Sequence, residues 1–157
     1  MKLIDTVSLD IAKHSDAFSE TQCYVNINNA NTKIIISGKT LEAAIFVDVD
    51  LYLLFTTDGI DYEETLKISL IHLKKGLLEV VSLGGQYLTG TFEKLRVRDD
   101  YIAFSFFGDT TWTVRVMRDP SLRLPFSDPR GVSRRFGFKK FIDISANPPL
   151  ARADGRR

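Results

Sequence analysis

With 157 residues, 44% of them hydrophobic and 26% charged, the chain has the composition of one globular domain rather than of a disordered or membrane-embedded protein. Its only cysteine, Cys23, excludes an internal disulfide and a multi-cysteine zinc site, and it makes a reducing cytoplasm the expected compartment. The net charge of +1 conceals an acidic body and a basic end, because residues 1–117 carry a net charge of −5 and residues 118–157 a net charge of +6.

The first predicted elements lie in the N-terminal third of the chain. Asp5, Asp10 and Lys13 interrupt the first segment, so it does not match the apolar region of a secretory signal. The only helix that the first half supports is a turn or two within residues 12–19. The stretches "QCYVNIN" and "KIIIS" flank the turn-like "NANT" and predict a hairpin.

The next stretch, "AIFVDVDLYLLFTTDG", places two aspartates inside an apolar run. Its alternate residues from Ile45 to Phe55 are all apolar, which predicts one long strand with Asp48, Asp50 and Tyr52 on the outward face. A catalytic carboxylate pair needs burial to separate its two pKa values. We therefore expect Asp48 and Asp50 to be solvated on a strand surface.

After the turn signal Asp58-Gly59, the strand "ETLKISLIHL" is predicted to return with its leucines and isoleucine inward and Lys67 and Ser69 on the other face. The stretches "LLEVVSL", "FEKLRVR", "YIAFSFF" and "TWTVRVM" follow, each bounded by turn residues. This spacing predicts an all-β fold, or a β-rich α+β fold with at most one or two short helices. An antiparallel meander would form a barrel or a sandwich.

Prolines distinguish the C-terminal part of the chain, from residue 118 onward, from the strands before it. We expect one β-rich domain over residues 1–144, in which residues 118–144 form an extended arm with "FGFKKFIDI" as a closing strand. Residues 145–157 lack apolar periodicity and are predicted to be a flexible basic tail.

The leading functional hypothesis is a non-catalytic protein-binding module, of which immunity or antitoxin-type proteins are examples. Its acidic sheet face would dock a basic protein partner, with charge setting the association rate and aromatic side chains most of the affinity. An acidic body favours such a partner over nucleic acid, and no membrane partner is expected. The predicted contact residues are Asp48, Asp50, Tyr52, Asp58, Asp61, Tyr62, Glu63 and Glu64.

Three alternatives remain open. Phe92, Lys94, Arg96 and Arg98 fall on one predicted strand face and would suit single-stranded nucleic acid, although a solvated face explains them too. A glycine-rich loop with Gly84, Gly85, Gln86 and Tyr87 would suit ligand or partner recognition, although a connection that needs positive φ is the simpler explanation. A barrel could also enclose a small apolar ligand.

Catalysis has no support in the sequence. The chain has two histidines, His14 and His72, and neither lies in a nucleophile motif. Cys23 alternates with apolar residues, as a buried small side chain does. We therefore predict no enzyme activity, no cofactor and no metal.

Overall fold

The structure is a computed structural model that describes residues 1–17, 19–59, 64–85, 88–124, 126–135, 137–152 and 155–156. Within these ranges the chain forms antiparallel strands and no helix, which confirms the predicted all-β class. The strands are β1 Lys2–Ile4, β2 Val7–Lys13, β3 Gln22–Ile27, β4 Ala30–Ser37, β5 Thr40–Asp48, β6 Leu51–Thr57, β7 Leu66–His72, β8 Gly76–Leu83, β9 Glu93–Val97, β10 Ile102–Ser105, β11 Thr111–Leu122, β12 Val132–Arg134 and β13 Lys139–Asn147.

These strands form three sheets stacked as a sandwich rather than one sheet closed into a barrel. The central sheet has the order β1-β5-β6-β7-β8-β12, the C-terminal sheet the order β13-β11-β10-β9, and the N-terminal sheet the order β2-β3-β4. Two hydrophobic cores lie on the two sides of the central sheet, one against each outer sheet. Residues of β6 alternate between them, since Leu53 and Phe55 pack toward the C-terminal sheet and Leu54 toward the N-terminal sheet.

Because an outer sheet packs on each face of the central sheet, both faces of β7 are buried. Leu66, Ile68 and Leu70 face one core, as the alternation predicts. Lys67 and Ser69 lie on the opposite face, as the alternation also predicts, and both of these polar side chains are buried too. The N-terminal sheet covers the end of this face and removes water from both side chains.

The prediction of one long strand from Ile45 to Phe55 is wrong. β5 ends at Asp48 and β6 begins at Leu51, so Val49 and Asp50 form the turn of a hairpin in which Asp48 pairs with Leu51. Asp50 takes a φ of 60°, which aspartate tolerates better than most residues, and the backbone N–H of Val49 donates to Asp48 Oδ1 at 2.8 Å. In the sequence, the apolar alternation continues through this turn because Val49 is apolar. In the structure, Val49 is 75% exposed.

Other local predictions are confirmed or corrected by the strand bounds. The hairpin of β3 and β4 and the closing strand β13 are confirmed. The helix predicted within residues 12–19 is wrong over its described part, because β2 continues to Lys13 and Asp16 then bridges to Ser19. β13 ends at Asn147, so residues 145–147 of the predicted tail belong to a strand.

A bulge in β11 shapes the C-terminal arm. Val116 pairs with Ile142 and Ser121 with Lys140, so residues 117–120 lie opposite Phe141 alone. The backbone N–H groups of Phe141 and Ile142 instead donate to Glu79 Oε2 of β8, each at 2.7 Å. This carboxylate therefore ties the C-terminal sheet to the central sheet.

An ion-pair cluster, which we call the arginine clamp, holds the rest of the arm. Its members are Glu79, Arg134 and Asp128. Arg134 donates to Glu79 Oε1 at 2.5 Å and to both carboxylate oxygens of Asp128 at 2.8 Å, and its side chain is 1% exposed. A bidentate guanidinium–carboxylate pair in a buried setting fixes geometry strongly. The clamp thus fastens β12, the edge strand of the central sheet, and the loop before it to β8.

The clamp makes stability depend on pH. Burial raises the pKa of Asp128, but the hydrogen bonds and charge of Arg134 outweigh burial, so the net pKa lies below its ordinary value of about 3.9. A carboxyl with a depressed pKa in the folded state stabilises above its unfolded pKa, and this contribution is lost as the pH falls through the folded pKa. We expect Asp128→Asn to cost about 1–3 kcal/mol at pH 7.

That difference between Asp128→Asn and the wild type should shrink as the pH falls below about 4, because the carboxyl of the unfolded wild type then takes up a proton before the folded state does. Urea unfolding of both proteins at pH 7 and at pH 3 measures it. A difference that stays constant over this range would refute the role assigned to Asp128.

Candidate functional site

The predicted acidic residues lie at two separate ends of β6 rather than on one face. At one end Asp48 is exposed, and Asp50 pairs with Lys74 Nζ at 3.0 Å. Near that end Tyr52 packs into the N-terminal core and makes an edge contact with Phe46 at 5.6 Å between ring centroids.

Asp58 and Glu64 lie at the other end of β6, past Thr57. Oε1 of Glu64 accepts hydrogen bonds from the backbone N–H groups of Asp58 and Gly59, at 2.9 and 3.1 Å. Gly59 has a φ of 66°, as the predicted turn requires. The remaining predicted members Asp61, Tyr62 and Glu63 lie outside the described residues.

Asp58 belongs to a buried ion cluster that the sequence did not indicate. Lys67 Nζ, on a side chain 3% exposed, lies 3.6 Å from Asp58 Oδ2 and forms an ion pair with Glu20, whose side chain is 51% exposed. Burial raises the pKa of Asp58; the Lys67 ammonium lowers it in part, and Glu20 and Glu64 raise it again. Asp58 is thus engaged inside the chain rather than presented to a partner.

The alternative nucleic-acid face is divided by a bulge in β9. Arg96 pairs with Ala103 and Glu93 with Ser105, so Phe104 lies opposite two residues of β9, and Lys94 takes a φ of 55°. Phe92 therefore packs inward, with its ring centroid 5.3 Å from that of Phe55. The cations Lys94, Arg96 and Arg98 are exposed, but the aromatic ring predicted beside them is part of the core.

Close packing explains the two glycines of the glycine-rich loop, Gly84 and Gly85. Gly84 has no positive φ, but a Cβ there would come within 2.8 Å of Thr65 Oγ1. A Cβ on Gly85 would come within 3.0 Å of Leu88. Positive φ, the simpler explanation offered from the sequence, is therefore wrong at Gly84 and Gly85. Gln86 and Tyr87 lie outside the described residues.

The most exposed apolar surface lies at the end of the C-terminal arm. Beyond the β11 bulge the two strands continue as a narrow pair, in which Leu122 lies opposite Lys139 and the N–H of Arg123 donates to the carbonyl of Phe138 at 3.0 Å. Ser127 Oγ donates to the carbonyl of Leu124 at 2.9 Å and closes the turn at the end. We call four side chains there the apolar tip; their exposed fractions are 79% for Leu122, 66% for Leu124, 104% for Phe126 and 88% for Phe138.

The apolar tip stands in a positively charged segment. Residues 118–140 contain seven lysines and arginines against two aspartates, a net charge of +5. Asp128 is already bound by Arg134, whereas Arg118, Arg130 and Lys139 are exposed. Phe126 also takes a φ of 60°, which is uncommon for a bulky residue and costs free energy that burial does not repay here.

Side chains that could ligate a metal ion are not clustered in the described residues. No group of three or more histidine, cysteine, aspartate or glutamate side chains there could hold a metal ion. Cys23 is buried, and burial together with Asp10 and Asp58 raises the pKa of its thiol, which keeps it protonated and unreactive. His72 Nδ1 accepts a hydrogen bond from the backbone of Lys74 at 3.2 Å.

Comparison with known protein families, curated proteins and solved structures finds no match to this chain. The described ranges also hold no helical segment with the length and hydropathy that spanning a bilayer requires.

Proposed function

We propose that the chain is a non-catalytic protein-binding module that inserts its apolar tip into a groove on a partner with an acidic surface. The observation that carries this proposal is the exposure of four large apolar side chains at the end of one strand pair. Several large apolar side chains exposed at one end of a strand pair, rather than scattered singly, indicate an interaction site on a folded protein. An immunity or antitoxin-type protein, acting by covering another protein, is one form of such a module.

The charge of the tip supports an acidic partner rather than the basic partner expected from the sequence. Arg118, Arg130 and Lys139 of this segment are exposed, and they attract a negative surface and accelerate association with it. Two predicted acidic contact residues are instead paired within the chain, Asp50 with Lys74 and Asp58 with Lys67. Their charges are largely neutralised before any partner arrives.

The shape of the tip supports a groove rather than a flat surface. Leu122 and Phe138 belong to neighbouring positions of one antiparallel pair, so their side chains project from opposite faces. A partner that covers both must enclose the strand pair. We propose the cytoplasm as the compartment, because Cys23 is a free thiol in a chain without disulfides.

Comparative capture from a lysate of the source cells tests this function. Wild type, Leu124→Ser/Phe126→Ser and the control Leu3→Ser/Ile11→Ser are immobilised, and retained proteins are identified by mass spectrometry. The control removes two exposed apolar side chains elsewhere. Because truncating one hot-spot anchor costs about 2 kcal/mol or more, the loss of even one of the two anchors should weaken binding by about thirtyfold.

The expected result is one acidic protein retained by wild type and control, released by salt and lost with the tip variant. Equal retention by the tip variant would contradict the proposal. Nuclease-sensitive retention, or binding to vesicles of phosphatidylserine and phosphatidylcholine without a retained protein, would assign the tip to nucleic acid or to a membrane surface instead.

A further inference from the structure

A second candidate site lies away from the apolar tip, where the N-terminal sheet meets the end of the central sheet. A surface cleft of about 480 Å³ opens there, and we call it the serine-lined cleft. Six of its lining residues carry the argument: Ser37, Lys67, Ser82, Ser133, Arg135 and, at its mouth, Glu20.

The strand register explains why these side chains converge. Lys67 pairs with Ser82 across β7 and β8, and Ser82 pairs with Ser133 across β8 and β12. Residues directly opposite in neighbouring strands project to the same face, so an ammonium and two hydroxyl groups form one row across three strands. Arg135 follows Ser133 by two positions and donates to Ser37 Oγ at 3.1 Å from the other wall.

Lys67 is the unusual member of this row. Its ammonium is buried and contacts Glu20 and Asp58, yet it makes no well-aligned hydrogen bond to either carboxylate. A buried cation is costly unless its protons are all engaged. The Asp58 contact lies toward a neighbouring cleft, whereas Glu20 lies on the rim of both. Glu20 is half exposed, so water can solvate its carboxylate when an anion takes its place on the ammonium.

From this geometry we propose that the serine-lined cleft binds a small oxyanion, a phosphate or a carboxylate group, which takes the place of Glu20 on Lys67. Ammonium, guanidinium and hydroxyl groups are the donors that such anions accept from in proteins. Arg134 also lines the cleft, but its charge is committed to Glu79 and Asp128. This inference does not depend on the apolar tip or on the partner proposed for it.

Titration of isotope-labelled protein at constant ionic strength and pH 7 tests the inference. Inorganic phosphate and acetate are added separately, and backbone amide shifts are followed by NMR. Saturable shifts at Lys67, Ser82 and Ser133 are expected with at least one of the two anions. A response to phosphate alone identifies a phosphoryl group as the natural ligand, and a response to acetate identifies a carboxylate.

Three variants make the test decisive. Glu20→Gln should tighten binding about tenfold, since the competing carboxylate is removed, and Ser82→Ala/Ser133→Ala should weaken it about tenfold, on the scale of a hydrogen bond to a charged group. Ser145→Ala, an exposed serine on β13, is the matched control and should bind as wild type does. None of these changes the buried Lys67, so all should fold.

Two results would overturn the proposal. The first is the absence of saturable shifts in both wild type and Glu20→Gln. The second is a dissociation constant that neither Glu20→Gln nor Ser82→Ala/Ser133→Ala changes, which would show only general attraction of anions to the surface.

Discussion

Replacing Arg134 with methionine should destabilise the protein by about 3–5 kcal/mol, because breaking a buried ion pair leaves its partners charged and unpaired. Glu79 and Asp128 have side chains only 8% and 15% exposed, so water cannot easily replace the guanidinium. Glu79 would keep the two backbone hydrogen bonds from β13, but Asp128 would lose both of its bonds to Arg134.

Urea unfolding at pH 7 measures this loss. Arg130→Met is the matched control, since Arg130 is an exposed arginine of the same arm and its replacement should change stability by about 0.5 kcal/mol or less. A cost below about 1 kcal/mol for Arg134→Met would mean that the clamp is no stronger than a surface salt bridge.

The second large effect concerns the two-sided burial of the central sheet. Leu54→Ala should cost about 2–5 kcal/mol, because Leu54 is completely buried in the core shared with the N-terminal sheet. If this face of the central sheet were solvated, Leu54→Ala would change the free energy of unfolding little. Leu54 belongs to the alternate set of residues that the sequence predicts to face outward.

Thermal and urea unfolding of Leu54→Ala and of the control Val49→Ala distinguish these possibilities. Val49 is apolar and precedes Leu54 by five residues, but it lies exposed in the turn, so its truncation should cost about 0.5 kcal/mol or less. Similar small costs for both variants would argue against the packing of the N-terminal sheet on the central sheet.

Much of the fold follows from short-range patterns in the sequence. Alternation correctly predicted the inward residues of β7, because the apolar set there meets a core whatever covers the other face. The Asp58-Gly59 pair correctly predicted a turn after β6, where Gly59 has a positive φ. Proline and a change in charge marked the arm from residue 118 onward, where β11 bulges before it pairs with β13 again.

The failures arise where the outcome depends on distant parts of the chain. An apolar Val49 in a turn without glycine or proline hid the hairpin between β5 and β6. The second covered face of the central sheet depends on how the N-terminal sheet packs, which no alternation within β7 encodes. Burial of Lys67 follows from this packing.

The spacing of the predicted acidic contact residues follows from the same cause. Asp48 and Asp50 lie at the turn that begins β6, and Asp58 and Glu64 lie past its end at Thr57. The apolar tip lacks periodicity, and only the strand bounds show that Leu122 and Phe138 lie at an end beyond both cores.

Site-specific photo-crosslinking tests the proposed protein-binding function most directly. A photoreactive phenylalanine analogue replaces Phe126 in the apolar tip or, in a second protein, Val49 in the exposed turn between β5 and β6. Each protein is irradiated in source-cell lysate at low salt. One acidic protein crosslinked from position 126 and not from position 49 is the predicted result. The account is contradicted if the same protein crosslinks only from position 49, or if position 126 captures no protein.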